Sequence, residues 1–260
     1  MQEPGGGQAT ADWNAAPTVL EMRDVHAAYH GDISILNGLS MAIKEGQITG
    51  IIGPNGAGKS TALKTMYGFL TPSRGTIVLG GKDITGDPPY DMMAHGVAFV
   101  PQNRSLFNDL SVEDNLRLGC WPFRRDKRKM ETALDRVYEQ FDILKEKRRD
   151  LAGSLSGGQQ RFVELGRALV VKPKIIMLDE PTAMIAPRVS REIYDFIATL
   201  PEQGITVVLV DQNVRQCTNV SDYIYILDLG RNRGEGTTER FTHDDHLKEM
   251  VAEWLDYQID

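Results

Sequence analysis

The sequence predicts an α/β fold in which a mostly parallel sheet is covered by helices. Short apolar runs alternate with stretches of helical spacing, an order that is typical of parallel sheets. The run at residues 205–210 is nearly all β-branched, as expected for a strand buried on both faces. Because the chain has 260 residues and 41% of them are apolar, it can form one large domain or two small ones with an ordinary core.

The predicted elements follow one another in a regular order after residues 1–17, whose glycine- and alanine-rich composition predicts a disordered tail. Two strand patterns, at residues 18–29 and 33–43, flank the turn signal Gly31-Asp32 and predict an antiparallel β portion. Further strands are predicted at residues 48–52, 76–79, 97–100, 174–178, 205–210 and 223–227. Helices are predicted after the strand at 48–52 and at residues 88–95, 155–171, 187–200 and 243–257.

A helical insert is predicted at residues 103–156. Ser111-Val112-Glu113-Asp114 has the S-x-x-D form of a helix start, and apolar residues at helical spacing follow it. The basic clusters at residues 124–129 and 145–149 leave two interpretations open, namely contact with lipid headgroups or nucleic acid and solvated helix faces. The acidic residues interspersed among them favour solvated faces.

The charge, the cysteine content and the hydropathy of the chain limit its possible binding partners and its location in the cell. A formal net charge of −7 disfavours broad binding to nucleic acid, whose affinity comes largely from Lys and Arg at phosphates, so no nucleic-acid partner is expected. Cys120 and Cys217 lie far apart and form no C-x-x-C, which indicates a reduced compartment and no zinc site. No apolar stretch approaches the roughly 18 residues of a membrane span, and no signal peptide is visible. We therefore expect a cytoplasmic protein whose membrane association comes through a partner.

The most informative segment follows the strand at residues 48–52. It matches G-x-x-x-x-G-K-[ST], the phosphate-binding loop, and consists of Gly53, Pro54, Asn55, Gly56, Ala57, Gly58, Lys59, Ser60 and Thr61. Glycines let backbone N–H groups point at phosphate oxygens, and the helix N-terminus adds partial positive charge. Lys59 then reaches the β- and γ-phosphates, and the Ser60 hydroxyl binds Mg²⁺. A chance match to a glycine-rich turn is the alternative, but the flanking strand and helix favour a nucleoside triphosphate site.

Two further motifs are ambiguous when each is taken alone. Asp179-Glu180 follows an apolar strand, where the first acid can meet Mg²⁺ and the second can orient a water against the γ-phosphate. Leu155-Ser156-Gly157-Gly158-Gln159-Gln160 is either a helix cap, with Ser156 as the N-cap residue, or a functional motif. The order of the motifs along the chain is more specific than any one of them, since Pro101-Gln102 lies between the phosphate loop and this segment.

This order resembles that of the ATP-binding-cassette (ABC) ATPases, over residues 18–231 and including the family-specific L-S-G-G-Q motif. The resemblance implies a phosphate-loop NTPase fold with an N-terminal antiparallel β portion. Its nucleotide-binding core has a first part at residues 18–102 and a second part at 157–260 that ends in a C-terminal helix, and the helical insert at 103–156 separates them. Two chains would sandwich two ATP molecules head to tail, with Mg²⁺ as a cofactor.

The resemblance also implies a role for each motif residue. Tyr29 is similar to the aromatic residue that stacks on adenine, as the flat apolar face of its ring allows. Gln102 is similar to the residue that meets Mg²⁺ and the attacking water, beside Ser60 and Asp179 at the metal site. Glu180 looks like the general base or water-orienting acid. The signature residues that bind the γ-phosphate of the opposite subunit are Ser156, Gly157, Gly158 and Gln159.

Three positions depart from the family pattern. Gln212 stands where His is usual, and its amide can donate a hydrogen bond to a phosphate oxygen but cannot titrate. The alternative is that Gln212 only caps the helix that starts at Asn213. Ala186 stands where Asp is usual, and Met184 stands where glycine is usual. The Asp211-Gln212 pair and the Ala186-Pro187 pair are similar to one subgroup, the second ATPase of branched-chain amino acid importers and their urea and amide relatives.

The resemblance therefore implies the ATPase subunit of an importer for branched-chain amino acids or related small polar solutes. Its partners would be two permease subunits and a second cassette subunit at the cytoplasmic face of the inner membrane. A paralogue is favoured as the second cassette because Ala186 lacks the usual carboxylate, and a copy of this chain is the alternative. Three alternatives stay open: a soluble cassette ATPase outside transport, a phosphate-loop kinase, and an exporter half. Soluble cassette proteins are disfavoured because they usually carry two cassettes or a long coiled-coil insert. A kinase is disfavoured because it leaves L-S-G-G-Q-Q unexplained, and an exporter half because exporters usually carry a fused membrane segment.

Overall fold

The computed structural model describes Trp13, residues 15–29 and residues 34–243, with the last two side chains excepted. The predicted turn at Gly31-Asp32, most of the tail at residues 1–17 and nearly all of the predicted C-terminal helix lie outside the described residues. Within the described part, no helix combines the length and the apolar character needed to cross a membrane.

The described strands form two sheets. In chain order they are β1 (Thr18–Ala28), β2 (Ser34–Lys44), β3 (Ile48–Ile52), β4 (Arg74–Leu79), β5 (Lys82–Asp83), β6 (Val97–Val100), β7 (Ile175–Asp179), β8 (Thr206–Val210), β9 (Tyr223–Asp228) and β10 (Arg231–Thr237). A four-stranded antiparallel sheet has the order β2-β1-β4-β5, and a six-stranded sheet has the order β10-β9-β3-β8-β7-β6. The larger sheet is parallel except for β10. The predicted α/β class and the N-terminal antiparallel portion are confirmed.

The centre of the larger sheet positions the functional residues. Strands β3, β8 and β7 are neighbours and are buried along their whole length. Strand β8 lies in the middle, with Val208 opposite Thr49 on one side and Met177 on the other. Because parallel strands end at the same edge of a sheet, the segments that follow these three strands gather at one edge.

Helices cover both faces of this sheet. In chain order the described helices are α1 (Lys59–Met66), α2 (Pro89–Ala94), α3 (Val112–Gly119), α4 (Lys127–Gln140), α5 (Asp142–Glu146), α6 (Gly157–Leu169), α7 (Pro187–Ala198), α8 (Val214–Val220) and α9 (Thr238–His243). Helices α3, α4 and α5 lie between β6 and α6 in the chain, within the stretch expected to be a helical insert. The S-x-x-D start is formed as expected, since the Ser111 hydroxyl accepts a hydrogen bond from the Asp114 N–H at 3.0 Å.

Two apolar clusters hold the layers together. On one face of the larger sheet, Ile176, Leu178 and Val207 pack with α3 to α7. On the other face, Met177 and Val208 pack with α1 and the antiparallel sheet. Successive residues of a strand point to opposite faces, so β3, β7 and β8 each contribute residues to both clusters.

One residue of the expected tail is packed against the fold. Trp13 is buried, and its ring stacks on Tyr223 with centroids 4.0 Å apart. The prediction of a disordered tail is wrong for Trp13, because burying an indole face against a tyrosine ring stabilises an ordered conformation there.

Candidate active site

The phosphate loop joins β3 to α1 in a backbone conformation that depends on glycine. Gly56 and Gly58 have φ angles of 82° and 98°, in the left-handed region that favours glycine. Gly58 is the N-cap residue of α1, and no described side chain caps this helix. The N–H groups of the first turn therefore face the loop, as an anion site requires.

Lys59 is the first residue of α1 and is held over the loop. Its Nζ donates to the carbonyl oxygens of Gly53 at 2.7 Å and Pro54 at 3.0 Å. Burial lowers the pKa of Lys59, and the charges of Glu180 and Asp179 act in the opposite direction. The loop thus contains a largely buried ammonium group that is influenced by the charges of two carboxylates.

Ser60 and Asp179 meet across the sheet edge. The Ser60 hydroxyl donates to Asp179 Oδ1 at 2.8 Å, and Asp179 is only 2% exposed. Burial raises the pKa of Asp179, whereas the hydrogen bond from Ser60 lowers it. A serine hydroxyl beside a carboxylate is the kind of oxygen pair that Mg²⁺ accepts, so the two residues fit a Mg²⁺ site.

Glu180 lies between two glutamine side chains. Gln102 Nε2 donates a short hydrogen bond to Glu180 Oε2, and Gln212 Nε2 donates to Glu180 Oε1 at 2.8 Å. The backbone of Glu180 has φ of 46°, and its N–H donates to the carbonyl of Val210 at 2.8 Å. Left-handed backbone at a non-glycine residue is uncommon and is found preferentially at functional sites. The fold therefore aims this carboxylate and holds both of its oxygens.

The helix that follows Gln212 is capped by another residue. The Asn213 side chain accepts a hydrogen bond from the Gln216 N–H at 3.1 Å and is the N-cap of α8. Asp211 is buried behind them and accepts from the Asn213 N–H at 2.9 Å and from Thr182 at 3.2 Å. Burial raises the pKa of Asp211. Gln212 is thus left free of capping and turned towards Glu180.

The signature segment starts α6 with a complete capping box. The Ser156 hydroxyl accepts from the Gln159 N–H at 3.4 Å, and Gln159 Oε1 accepts from the Ser156 N–H at 3.0 Å. The helix-cap interpretation of this segment is therefore correct for the single chain. Contact with a γ-phosphate of an opposite subunit stays a prediction.

Tyr29 lies near Lys64 of α1. It follows β1 and is 45% exposed, and Lys64 Nζ lies 5.7 Å from the centre of its ring. Within the described residues, neither Tyr29 nor Ser156 shares a hydrogen bond with Lys59 or Glu180. Among the described residues, hydrogen bonds join Ser60 to Asp179, and Gln102 and Gln212 to Glu180, but none joins Tyr29 or Ser156 to them.

Sequence reasoning missed a buried charged cluster on α6 that holds the Gln102 segment. Arg161 donates to the carbonyls of Pro101 and Gln102, each at 2.9 Å, and pairs with Glu164 at 2.8 Å. Arg167 donates to the Ser105 carbonyl at 2.8 Å. The available signal was the regular spacing of charged residues in this helix: Arg161, Glu164 and Arg167 follow one another at intervals of three.

The fold and the clustered loop, acids and amides define a phosphate-loop nucleoside triphosphatase. The family described as ABC transporter matches residues 36–183, more than half of the chain, and the chain belongs to this family. It is accordingly an ATP-binding ATPase subunit of a transporter.

Individual relatives agree with this assignment. The chain is 40% identical over 208 residues to the high-affinity branched-chain amino acid transport ATP-binding protein BraG of Pseudomonas aeruginosa, covering 80% of this chain and 88% of that protein. It is 35% identical over 234 residues to the lipopolysaccharide export system ATP-binding protein LptB of Escherichia coli, covering 89% and 95%. The solved ADP conformation of an ATP-binding cassette of an ABC transporter matches with a TM-score of 0.80 and 29% identity, covering 91% of this chain and 99% of that chain.

Proposed function

We propose that this chain is the ATPase subunit of an importer for branched-chain amino acids or related small polar solutes, acting at the cytoplasmic face of the cell membrane. The observation that carries the proposal is the 40% identity to BraG over 88% of that protein. The site supports it too, because Gln212 replaces the usual His and bonds to Glu180 directly.

The roles proposed for the site residues follow from their contacts. Lys59 and the N–H groups of the first turn of α1 bind the β- and γ-phosphates. Glu180 accepts a proton from the water that attacks the γ-phosphorus, and the bond to the β-phosphate oxygen breaks. Gln102 and Gln212 hold the Glu180 carboxylate in position.

We further propose that Ser60, Asp179 and Gln102 hold Mg²⁺. The ion, when bound, neutralises charge on the phosphate oxygens. The pairing of Ser60 with Asp179 at 2.8 Å supports this assignment. Oxygen ligands of this kind are the ones that Mg²⁺ prefers.

Two assignments concern residues away from Glu180. Tyr29 is proposed to stack on adenine, which its 45% exposure permits. Ser156, Gly157, Gly158 and Gln159 are proposed to meet the nucleotide of an opposite subunit. The N-terminus of α6 supports such a role, because its N–H groups and dipole favour anions.

The second cassette is proposed to be a paralogue rather than a copy of this chain. Ala186 is the N-cap residue of α7 and offers no side-chain hydrogen bond, where an Asp would provide one. Nearby Met184 is fully exposed with φ of 58°, the backbone region in which glycine is usual. Two copies would lack the carboxylate on both sides of the seam, whereas a paralogue supplies it on one side.

The permease partners are proposed to dock at an apolar groove, which we call the α2–α6 groove. Its lining residues include Tyr67, Met93, Phe99, Leu118, Ala168 and Val171, around a cavity of about 250 Å³. Phe69, Tyr90 and Trp121 are further exposed apolar residues. Exposed apolar surface of this kind is typical of a protein-binding site. Arg167 also lines the groove, and its hydrogen bond to Ser105 connects the groove to the Gln102 segment.

Lipopolysaccharide export is the second candidate function, because the relation to LptB covers 95% of that protein. The deciding experiment purifies the tagged chain from solubilised membranes and reconstitutes it with the membrane proteins that it retains. ATP-dependent uptake of leucine, isoleucine or valine is expected, and Glu180→Gln should abolish it. Lipopolysaccharide extraction instead of uptake would establish the second candidate. Retention of no membrane protein would overturn both candidate functions.

The same reconstitution tests the paralogue. Uptake is measured with this chain as the sole cassette and then with the second cassette added. Full uptake with this chain alone would overturn the heterodimer.

A further inference from the structure

A cationic cavity lies beside the α2–α6 groove, between the start of α4 and the end of α6. Its volume is about 680 Å³. The cationic residues that line it are Arg128, Lys129, Arg136 and Lys172. Among its described lining residues the single carboxylate is Asp126, which already accepts the Lys129 N–H at 3.0 Å as the N-cap of α4. The cavity therefore has a marked excess of positive charge.

The four cations make no ion pair with any carboxylate of the described residues. Lys129 Nζ lies 4.9 Å from the centre of the Phe123 ring, and Arg136 donates to the Val170 carbonyl at 3.3 Å. The Nε of Arg136 is buried with no hydrogen-bond partner in the described part of the chain. A buried guanidinium donor without a partner is unfavourable, so this atom points to an acceptor from outside the chain.

The helix dipole explains only half of this cluster. Arg136 belongs to α4 but donates to the Val170 carbonyl at the C-terminal end of α6, and Lys172 follows this end in the chain. Cations are favoured at the C-terminal end of a helix. Arg128 and Lys129 lie instead in the first turn of α4, which contains no acidic residue and where the dipole disfavours cations. Lys172 also has φ of 50°, at a position after a helix end where glycine is favoured. These costs indicate that the charges serve a purpose other than the stability of the free chain.

The cavity adjoins the α2–α6 groove, since Met93 and Val171 line both. We propose that the cationic cavity binds an acidic segment of the permease partner whose apolar part lies in the α2–α6 groove. This rests on the proposed function, because it takes the groove as the permease site. An apolar groove beside a cationic cavity fits one amphipathic protein segment better than a lipid headgroup. Complementary charge at this end would fix the orientation of the segment and select the correct partner.

The first test identifies the carboxylates directly. The purified complex is treated with a water-soluble carbodiimide, which activates a carboxylate so that a lysine amine in contact with it forms an amide, with release of the corresponding urea. Mass spectrometry of the digested complex is expected to find Lys129 or Lys172 joined to an Asp or Glu of the permease. Amide links that involve other lysines but neither of these two would overturn the proposal.

The second test reverses the charges. The double variant Lys129→Glu/Lys172→Glu is compared with Lys145→Glu/Arg149→Glu, which makes the same charge change on exposed residues of the same helical region outside the cavity. Retention of the permease at physiological ionic strength should fall about tenfold for the first variant, because repulsion replaces attraction. The second variant should match the wild type. The ATPase rate of the isolated chain should be unchanged in both, which shows that the fold and site are intact.

The outcomes separate the two proposals. Equal retention by the wild type and the cavity variant would overturn this inference and leave the proposed function standing. A wild-type chain that retains no permease would remove the proposed function itself. Flotation with vesicles of phosphatidylcholine and phosphatidylglycerol supplies the lipid control. One pair of results would overturn the proposal. If the isolated wild-type chain binds vesicles and the cavity variant does not, and if no amide link to the permease forms, the cavity binds a lipid phosphate and not a segment of the permease.

Discussion

The phosphate loop and the signature segment both begin a helix with glycines, but their helix N-termini differ. Helix α1 has Gly58 as its N-cap residue and no described side-chain cap. Helix α6 has Ser156 as its N-cap residue, with Gln159 completing a capping box. The first N–H groups of α1 therefore stay available for a ligand bound by this chain. At the start of α6, the Ser156 hydroxyl already accepts a hydrogen bond from the Gln159 N–H.

The glycines of the two segments also serve different purposes. Gly56 and Gly58 need the left-handed backbone, where a side chain is strained. Gly158 needs space, because a Cβ atom there would lie 2.4 Å from Val189 Cγ1. The comparison teaches that a glycine-rich motif at a helix start encodes either backbone shape or close packing, and that the two are separable by mutation.

The largest expected effect lies beside the phosphate loop. Glu180→Gln should keep ATP binding and lower the hydrolysis rate by about 10²–10⁴, because the proton acceptor is lost. The new amide also has only one acceptor oxygen, so either Gln102 or Gln212 loses its present hydrogen bond. Steady-state phosphate release measures the rate, with exposed Glu192→Gln as the matched control. A rate within about twofold of the wild type would remove Glu180 from the mechanism.

Lys59→Ala should come next, and it should act on binding. Removing a buried cation that faces phosphate oxygens should weaken nucleotide affinity by about 1.5–3 kcal/mol. Titration calorimetry with ATP measures this loss. Lys82→Ala, at a lysine that pairs with Asp87 at 3.8 Å away from the loop, should leave the affinity unchanged. Unchanged affinity of the Lys59 variant would contradict the assignment of this helix start as the phosphate site.

Gly158→Ala should destabilise the protein by about 1–3 kcal/mol, because the added methyl group overlaps Val189 on α7. Gly157→Ala should be milder, since the nearest atom to its added methyl is the end of the flexible Arg104 side chain. Thermal unfolding measures both changes. Val189→Ala should partly rescue Gly158→Ala, because it removes the Cγ1 atom at 2.4 Å but leaves Val189 Cβ at 3.2 Å. A failure of rescue would mean that Gly158 is required for something other than packing.

Ser156→Ala should cost about 1 kcal/mol of stability, the usual value of an N-cap residue. The α1 start has no equivalent side chain to lose, so this effect is specific to the signature segment. Urea unfolding with the Ser156→Asp variant as a control tests it, since Asp also caps helices well. Full stability of the alanine variant would show that the capping box contributes nothing to the fold.

Gln212→His should have the smallest effect at alkaline pH. A neutral imidazole can still donate to Glu180, so the hydrolysis rate at pH 8 should stay within about threefold of the wild type. Below a pH of about 6.5 the imidazole becomes charged, pairs with Glu180 and reduces its basicity, so the rate should fall as the pH drops. The wild type should lack this step, because an amide does not ionise. A pH–rate profile compares the two, and Gln212→Ala should be impaired at every pH.

The local motifs were predictable from sequence to different degrees. The phosphate loop needs a strand, a glycine turn and a helix start within one short segment, so its conformation follows from neighbouring residues. The helix cap at Ser156 is local in the same sense. The roles of Gln102 and Glu180 were implied by the family resemblance alone. The hydrogen bonds that join Gln102 and Gln212 to Glu180 were not predicted, because these residues follow three different strands. The Arg161 and Glu164 pair was missed, since charged residues in a helix normally indicate a solvated face.

The sequence by itself determined the fold class, the phosphate loop and the family, because these depend on residue order and on short-range backbone preferences. Only the tertiary structure decided which oxygen of Glu180 each amide contacts, that Asn213 rather than Gln212 caps α8, and that Trp13 packs on Tyr223. It also decided that α4 and the segment after α6 bring to one cavity four cations that form no ion pair within the described part of the chain. The physical reason is that these contacts join residues far apart in the chain, and their geometry is set by how parallel strands and helices pack rather than by any local pattern.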